Sequence, residues 1–172
     1  GNKAIAAVFC KETGVMTSLK FNGLEIFHGN EGFVYDNYRF IENDRSCKPG
    51  NGLDSIGTCE IVPSKGGSVV VKTTRGGKLA SQVITYTFLP NGVVDMDVTI
   101  TPQAKELRRA GLIASIVPGF RHVNYWAYGP DENYNDRKEN TMVGRYQTTV
   151  DDMVVYYQKP QSMGNREGLR EL

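Results

Sequence analysis

Histidine is nearly missing from this sequence, which carries only His28 and His122 in 172 residues. Zinc sites need three or four N, S or carboxylate ligands at recognisable spacing, and neither Cys-x-x-Cys nor His-x-x-x-His occurs. Each His reads as a surface or hydrogen-bonded residue, His28 in the loop FHGNEG and His122 just before a strand. No Gly-x-Ser-x-Gly elbow supports a Ser-His-Asp triad. The stretch GNGLDSIG has glycines but neither the Lys-Ser/Thr nor the following helix of a phosphate loop. No apolar run approaches the ~20 residues of a membrane span. A net charge of +1 supplies no bulk field for nucleic acid or an anionic membrane. The start, GNKAIAAVFCKETG, lacks a basic n-region and a long apolar core, so it does not read as a signal peptide. It begins almost inside a strand, and the expectation is a piece cut from a longer chain.

Cysteine is sparse and odd in number: Cys10, Cys47 and Cys59. That argues against a fully paired disulfide framework. Cys10 ends an apolar run and reads as a buried free thiol. Cys47 and Cys59 flank a Gly-rich loop; a bond between them stays open, because spacing does not set sulfur separation.

What is present is β signal. In SQVITYTF, Ile84, Tyr86 and Phe88 alternate with Val83, Thr85 and Thr87. In GVVDMDVTI, Val94, Met96, Val98 and Ile100 alternate with Asp95, Asp97 and Thr99, a period-two pattern with one dry face. Asn91-Gly92 between them is expected to supply the positive φ angles of a tight hairpin. The same device joins AIAAVF to VMTSLKF around Thr13-Gly14, and LKF to LEIF around Asn22-Gly23. SVVVKTTR is a further strand between Gly66-Gly67 and Gly76-Gly77. AGLIASIV and HVNYWAYG follow, and strands resume at VGRYQT and MVVYYQ. PQAKELRRAG is the best short helical candidate, or else a polar connection. Strands at this spacing predict a single all-β sandwich or barrel domain rather than βαβ units.

The register breaks between Gly129 and Asn140, in AYGPDENYNDRK. Three carboxylates, an amide, a phenol and a guanidinium crowd together there. Asp131, Glu132 and Asp136 lack the alternating oxygen ligands of a calcium loop. Paired carboxylates for glycosidic cleavage face each other across a cleft, which neighbours on one short loop seldom do. The stronger reading is a structural corner. Arg137 would form a bidentate pair with Glu132 or Asp136, Asn133 would cap a turn through its own backbone, and Tyr134 would bury its ring with its hydroxyl bonded.

These residues also carry a resemblance. GPDENYNDRK resembles the Gly-Pro-x-Glu-Asn-Tyr-x-Asp-Arg signature of the small-chain domain of lac-type β-galactosidases, glycoside hydrolase family 2. Gly129, Pro130, Glu132, Asn133, Tyr134, Asp136 and Arg137 stand in its places. VGRYQTTVDD resembles the family's Val-Gly-Arg-Tyr-x-x-Thr-Val-Asp-Glu through Gly144, Arg145 and Tyr146. KPQSMGNREGLREL resembles its Arg-Pro-Gln-Glu-Asn-Gly-Asn-Arg segment through Pro160, Gly164, Asn165 and Arg166. NYRFIENDR resembles its Phe-Trp-Arg-Ala-Pro-Thr-Asp-Asn-Asp-Arg segment through Arg39, Asn43, Asp44 and Arg45, with Tyr38 where the family has Trp. The four motifs occur in family order over nearly the whole chain.

The resemblance implies an all-β antiparallel supersandwich of the galactose-mutarotase type, truncated at its C-terminus, with residues 1–172 forming the N-terminal part of that domain. It implies that the catalytic glutamates lie in an upstream (β/α)-barrel of the same chain, leaving no catalytic residue here. The expected function is that of a non-catalytic fragment of an enzyme hydrolysing terminal β-D-galactosides, inactive alone, scaffolding the barrel. A loop from Asp44 to Leu53 would reach the substrate, with Asn43, Asp44, Arg45, Gly50 and Gly52 as its pocket residues. No metal or cofactor is expected in this chain; any Mg or Na of the parent would sit in other domains. The expected partners are the barrel, a carbohydrate substrate and further copies of the parent, with neither nucleic acid nor membrane. The compartment, cytoplasm or periplasm, is set upstream. The alternative is an independent carbohydrate-binding module using Tyr35, Tyr38, Tyr125, Trp126 and Tyr128. A mutarotase-like epimerase is disfavoured by the scarcity and placement of histidine.

Overall fold

The computed structural model describes residues 4–29, 32–36, 53, 56–105, 110–134 and 137–154. All strand pairing among them is antiparallel, and the one helical element is a 3-10 turn at Asp151–Met153. They fall into two compact units, one running to Val117 and one starting at Pro118.

The first unit is a sandwich. One sheet has the order β1 (Ile5–Phe9), β2 (Met16–Phe21), β3 (Leu24–Glu25). The other has β5 (Gly57–Val62), β6 (Val69–Arg75), β7 (Ala80–Phe88) and β8 (Val94–Pro102). The period-two pattern of β7 is realised directly, since Ala80, Gln82, Ile84 and Tyr86 all point into the buried face. Ile5, Met16, Leu19 and Phe27 meet Val71, Ile84 and Tyr86 between the sheets. Each large apolar side chain buried there stabilises the fold by about 1.5–3 kcal/mol. Phe9 adds an edge-on contact to the Tyr86 ring, 5.2 Å between centroids. A cavity of about 350 Å³ lies beside Ile5, Phe9, Cys59 and Phe88. A short ladder of β4 (Val34–Asp36) with β9 (Gly111–Ile113) and the bridge of Phe27 to Ile116 complete the unit.

Turn chemistry explains the hairpins. Asn22 and Gly23 both take positive φ, 49° and 83°, which suits the right-handed twist of β2 and β3. Glu25 locks that corner. Its Oε1 accepts the backbone N–H of Leu19, Ile26 and Phe27 at 3.0–3.2 Å, and its Oε2 accepts the Ser18 hydroxyl. These bonds hold its carboxyl below the usual range, the Ser18 bond contributing most.

Several expectations are corrected. At Asn91-Gly92 only Gly92 has positive φ, 93°. Pro90 fixes a negative φ at the first turn position, so the turn starts at Leu89, whose carbonyl accepts the Gly92 N–H at 3.1 Å. AGLIASIV pairs as a strand only over Gly111–Ile113, with a single bridge at Ile116. Val98 remains 37% exposed because β8 is an edge strand. The described start of PQAKELRRAG is a bend, with Gln103 and Ala104 donating to the Leu79 carbonyl. Met153 closes a 3-10 turn and Val154 follows it as an extended, exposed residue rather than opening a strand; the rest of MVVYYQ, from Val155, lies outside the described residues. Cys10 is half-buried rather than buried; Cys59 is a free thiol on β5, and Cys47 lies outside the described residues.

The second unit is a two-stranded ribbon, β10 (His122–Gly129) with β11 (Met142–Thr149), paired over its full length. Arg121 and Asp151 form an ion pair at its open end, where the Val150 N–H also donates to the Arg121 carbonyl. The polar corner closes the other end.

Candidate functional site

The corner starts where β10 stops, at a cis Gly129-Pro130 bond. Glu132 and Asn133 then turn inward and are 6% and 0% exposed. A buried carboxylate needs partners to offset lost hydration, and both oxygens of Glu132 are bonded. Arg137 Nη2 donates to its Oε1 at 2.6 Å, and the Tyr134 hydroxyl donates to its Oε2 at 3.1 Å. Tyr134 and Arg137 also exchange backbone N–H···O bonds at 3.2 and 2.9 Å, and the guanidinium stands 5.6 Å from the Tyr134 ring centroid. Asn133 Nδ2 donates to the Tyr128 carbonyl at 3.2 Å. That bond reaches across the corner to β10; the residue on which an Asn133 turn cap would fall, Asn135, lies outside the described residues.

The tyrosines above the corner are fixed with equal care. Tyr125 and Tyr146 face each other across the ribbon, with ring centroids 5.4 Å apart and planes tilted by 32°. The Tyr125 hydroxyl donates to the Pro130 carbonyl at 3.0 Å, and that of Tyr146 to the Met142 carbonyl at 2.8 Å. Two glycines make room for the rings. A Cβ on Gly129 would lie 2.8 Å from Tyr125 Oη and from two Tyr146 ring carbons. One on Gly144 would lie 3.1 Å from the Tyr146 phenol end. Beside these rings is a polar cavity of about 540 Å³, which Asp131, Glu132, Asn140, Gln147 and Asp152 also line.

The remaining expected residues divide clearly. Arg145 lies on β11 opposite Trp126, and both are exposed. Tyr35 is 1% exposed and packs with Leu53 and Ala80, so it cannot stack on a sugar as the alternative reading required. Tyr128 is half-buried. Asn43, Asp44, Arg45, Gly50 and Gly52, together with Tyr38, Arg39, Cys47, Asp136, Pro160, Gly164, Asn165 and Arg166, lie outside the described residues. Leu53, at the end of the expected loop, is described and 8% exposed. The Tyr125–Tyr146 pairing was not anticipated; both residues fell in expected strands, HVNYWAYG and VGRYQT, but the register that joins them is set by the pairing itself.

Two thiols differ in character. Hydrogen bonds from Thr13 pull the Cys10 thiol below its ordinary value, and burial pushes that of Cys59 up. Among the described residues, the Tyr35 hydroxyl and Gln82 Nε2 are buried without a hydrogen-bond partner.

The fold and corner together define an all-β antiparallel sandwich module whose crowded carboxylate is bonded internally. More particularly, the chain belongs to the β-galactosidase small-chain family, whose model matches residues 1–172. A β-galactosidase of Lactobacillus delbrueckii subsp. bulgaricus is 31% identical over 180 residues, covering 95% of this chain and 17% of that protein. One of Priestia megaterium is 27% identical over 104 residues, 59% of this chain and 10% of its own length. One of Streptococcus thermophilus is 38% identical over 61 residues, 36% of this chain and 6% of its own length. The chain thus spans less than a fifth of each of these relatives.

Proposed function

We propose that this chain is a non-catalytic domain fragment of a family 2 glycoside hydrolase that cleaves terminal β-D-galactosides. It scaffolds an upstream catalytic barrel and lends a loop, Asp44 to Leu53, to the substrate pocket. The observation that carries the reading is the state of Glu132. Its carboxylate is almost completely buried and bonded to Arg137 and Tyr134. A group held in that way braces a corner, whereas a catalytic acid or nucleophile must face the scissile bond. Family membership over the whole chain supports the galactoside as substrate.

The loop's role is tested in the full-length polypeptide with Asp44→Ala and Arg45→Ala. Both raise KM for an aryl β-galactoside and leave the melting temperature in place. Unchanged KM in both variants excludes the loop from the pocket. The alternative, an independent carbohydrate-binding module, draws support from Trp126, which is 64% exposed at mid-strand. Titration of the isolated chain with galactose and lactose separates the two, since millimolar or tighter binding favours the module.

A further inference from the structure

We propose that the cavity between the Tyr125–Tyr146 pair and the Glu132–Arg137 corner is a carbohydrate-holding site for a neutral pyranoside. The inference takes its carbohydrate setting from the proposed function, but it needs no hydrolysis and is tested without it.

The cavity's size, about 540 Å³, falls within the roughly 300–1,000 Å³ typical of small-molecule sites. Its lining combines two kinds of surface. The half-buried Tyr125 and Tyr146 side chains line it, and aromatic carbon is the kind of surface that the C–H face of a pyranose covers. Around them stand Asp131 and Asp152, which carry carboxylates, and Asn140, which carries an amide, all exposed residues. Carboxylates accept hydrogen bonds, and amides both donate and accept. That set matches hydroxyl groups, each of which does both.

The platform is rigid before any ligand arrives. Each phenol is tied to a backbone carbonyl, and Gly129 backs the Tyr146 ring so closely that a Cβ there would lie 2.8 Å from it. Rigid aromatics lose little conformational entropy on binding, which favours affinity. The charge in the cavity argues for a neutral ligand. Arg137 is committed to Glu132, and the other two lining carboxylates repel an acidic sugar. A metal is a poor alternative occupant, because among the described residues no three His, Cys, Asp or Glu side chains converge to hold one.

The test is calorimetric titration of the full-length polypeptide with methyl β-D-galactopyranoside, in wild type and in Tyr125→Ala and Asn140→Ala. The second variant sits at an exposed turn and guards against misfolding of the first; melting curves check both. Wild type is expected to bind one more equivalent per chain than either variant, or to bind about tenfold more tightly at that site. Unchanged stoichiometry and affinity in both variants overturns the proposal. So does magnesium binding that Asp131→Asn abolishes in a protein that takes up no sugar. Hydrolysis is assayed separately, so a polypeptide that binds at this cavity without turnover contradicts the proposed function and leaves this site standing.

Discussion

Arg137 holds Nη2 2.6 Å from Oε1 of Glu132, pairing a guanidinium that is 57% exposed with a carboxylate that is 4% exposed. The asymmetry sets the energetics. The acid has lost its water and depends on the base, while the base remains hydrated. Removing the base therefore costs more than removing both. Arg137→Met is expected to destabilise the protein by about 1–3 kcal/mol, the penalty of a stranded buried polar group. Adding Glu132→Gln should recover part of that loss. Denaturant unfolding of the two single variants and the double variant measures the coupling. Strictly additive effects would mean that the pair contributes nothing.

The two glycines beneath Tyr146 predict a ranking. At Gly129 a methyl group meets Tyr125 Oη and the Tyr146 ring at 2.8 Å, and both rings are tethered. Gly129→Ala should cost about 1–3 kcal/mol, typical of overpacking. Gly144→Ala meets the phenol end at 3.1 Å, where a small swing of the ring relieves it, and should cost less. Thermal melts of the two variants test the order.

Buried polar groups without partners predict gains. Gln82 is 3% exposed and Tyr35 1%, and neither Gln82 Nε2 nor the Tyr35 hydroxyl has a hydrogen bond. Tyr35→Phe and Gln82→Met keep the shape and remove the unsatisfied group. Each should raise stability by about 1 kcal/mol, read as a higher denaturation midpoint at unchanged slope.

Glu25 predicts a pH dependence. Its folded pKa is lowered by Ser18 and three backbone amides. The unfolded chain therefore binds the proton more tightly, and the contribution is fully present above the unfolded pKa. It is lost as pH falls through the folded value. Glu25→Gln should lie below wild type in stability at neutral pH, with the gap closing as pH falls below the ordinary carboxylate range. A gap that stays constant over that range would contradict the assignment.

Much of this architecture was legible because period-two alternation survives wherever one sheet face is dry. Ile84 and Tyr86 on β7 are the clearest case. β5 escaped notice because it is an edge strand whose Thr58, Glu60 and Ile61 are all exposed, so no dry face marks it. β4 has only three residues, too few for a period. At the corner, Glu132, Arg137 and Tyr134 were identifiable because they are neighbours in sequence. Tyr125 and Tyr146 meet only once β10 and β11 pair in register, a nonlocal event that composition does not encode. Pro90 shows the opposite failure, where a strong local signal at Asn91-Gly92 was overridden by the fixed φ of the residue before it.

The most direct test of the account compares aryl β-galactoside hydrolysis by the isolated 172-residue chain, shown to be folded by its β-type circular dichroism, with hydrolysis by the full-length polypeptide. The isolated chain is expected to show no turnover and the full-length polypeptide clear turnover. Turnover by the isolated chain that Glu132→Gln abolishes would contradict it.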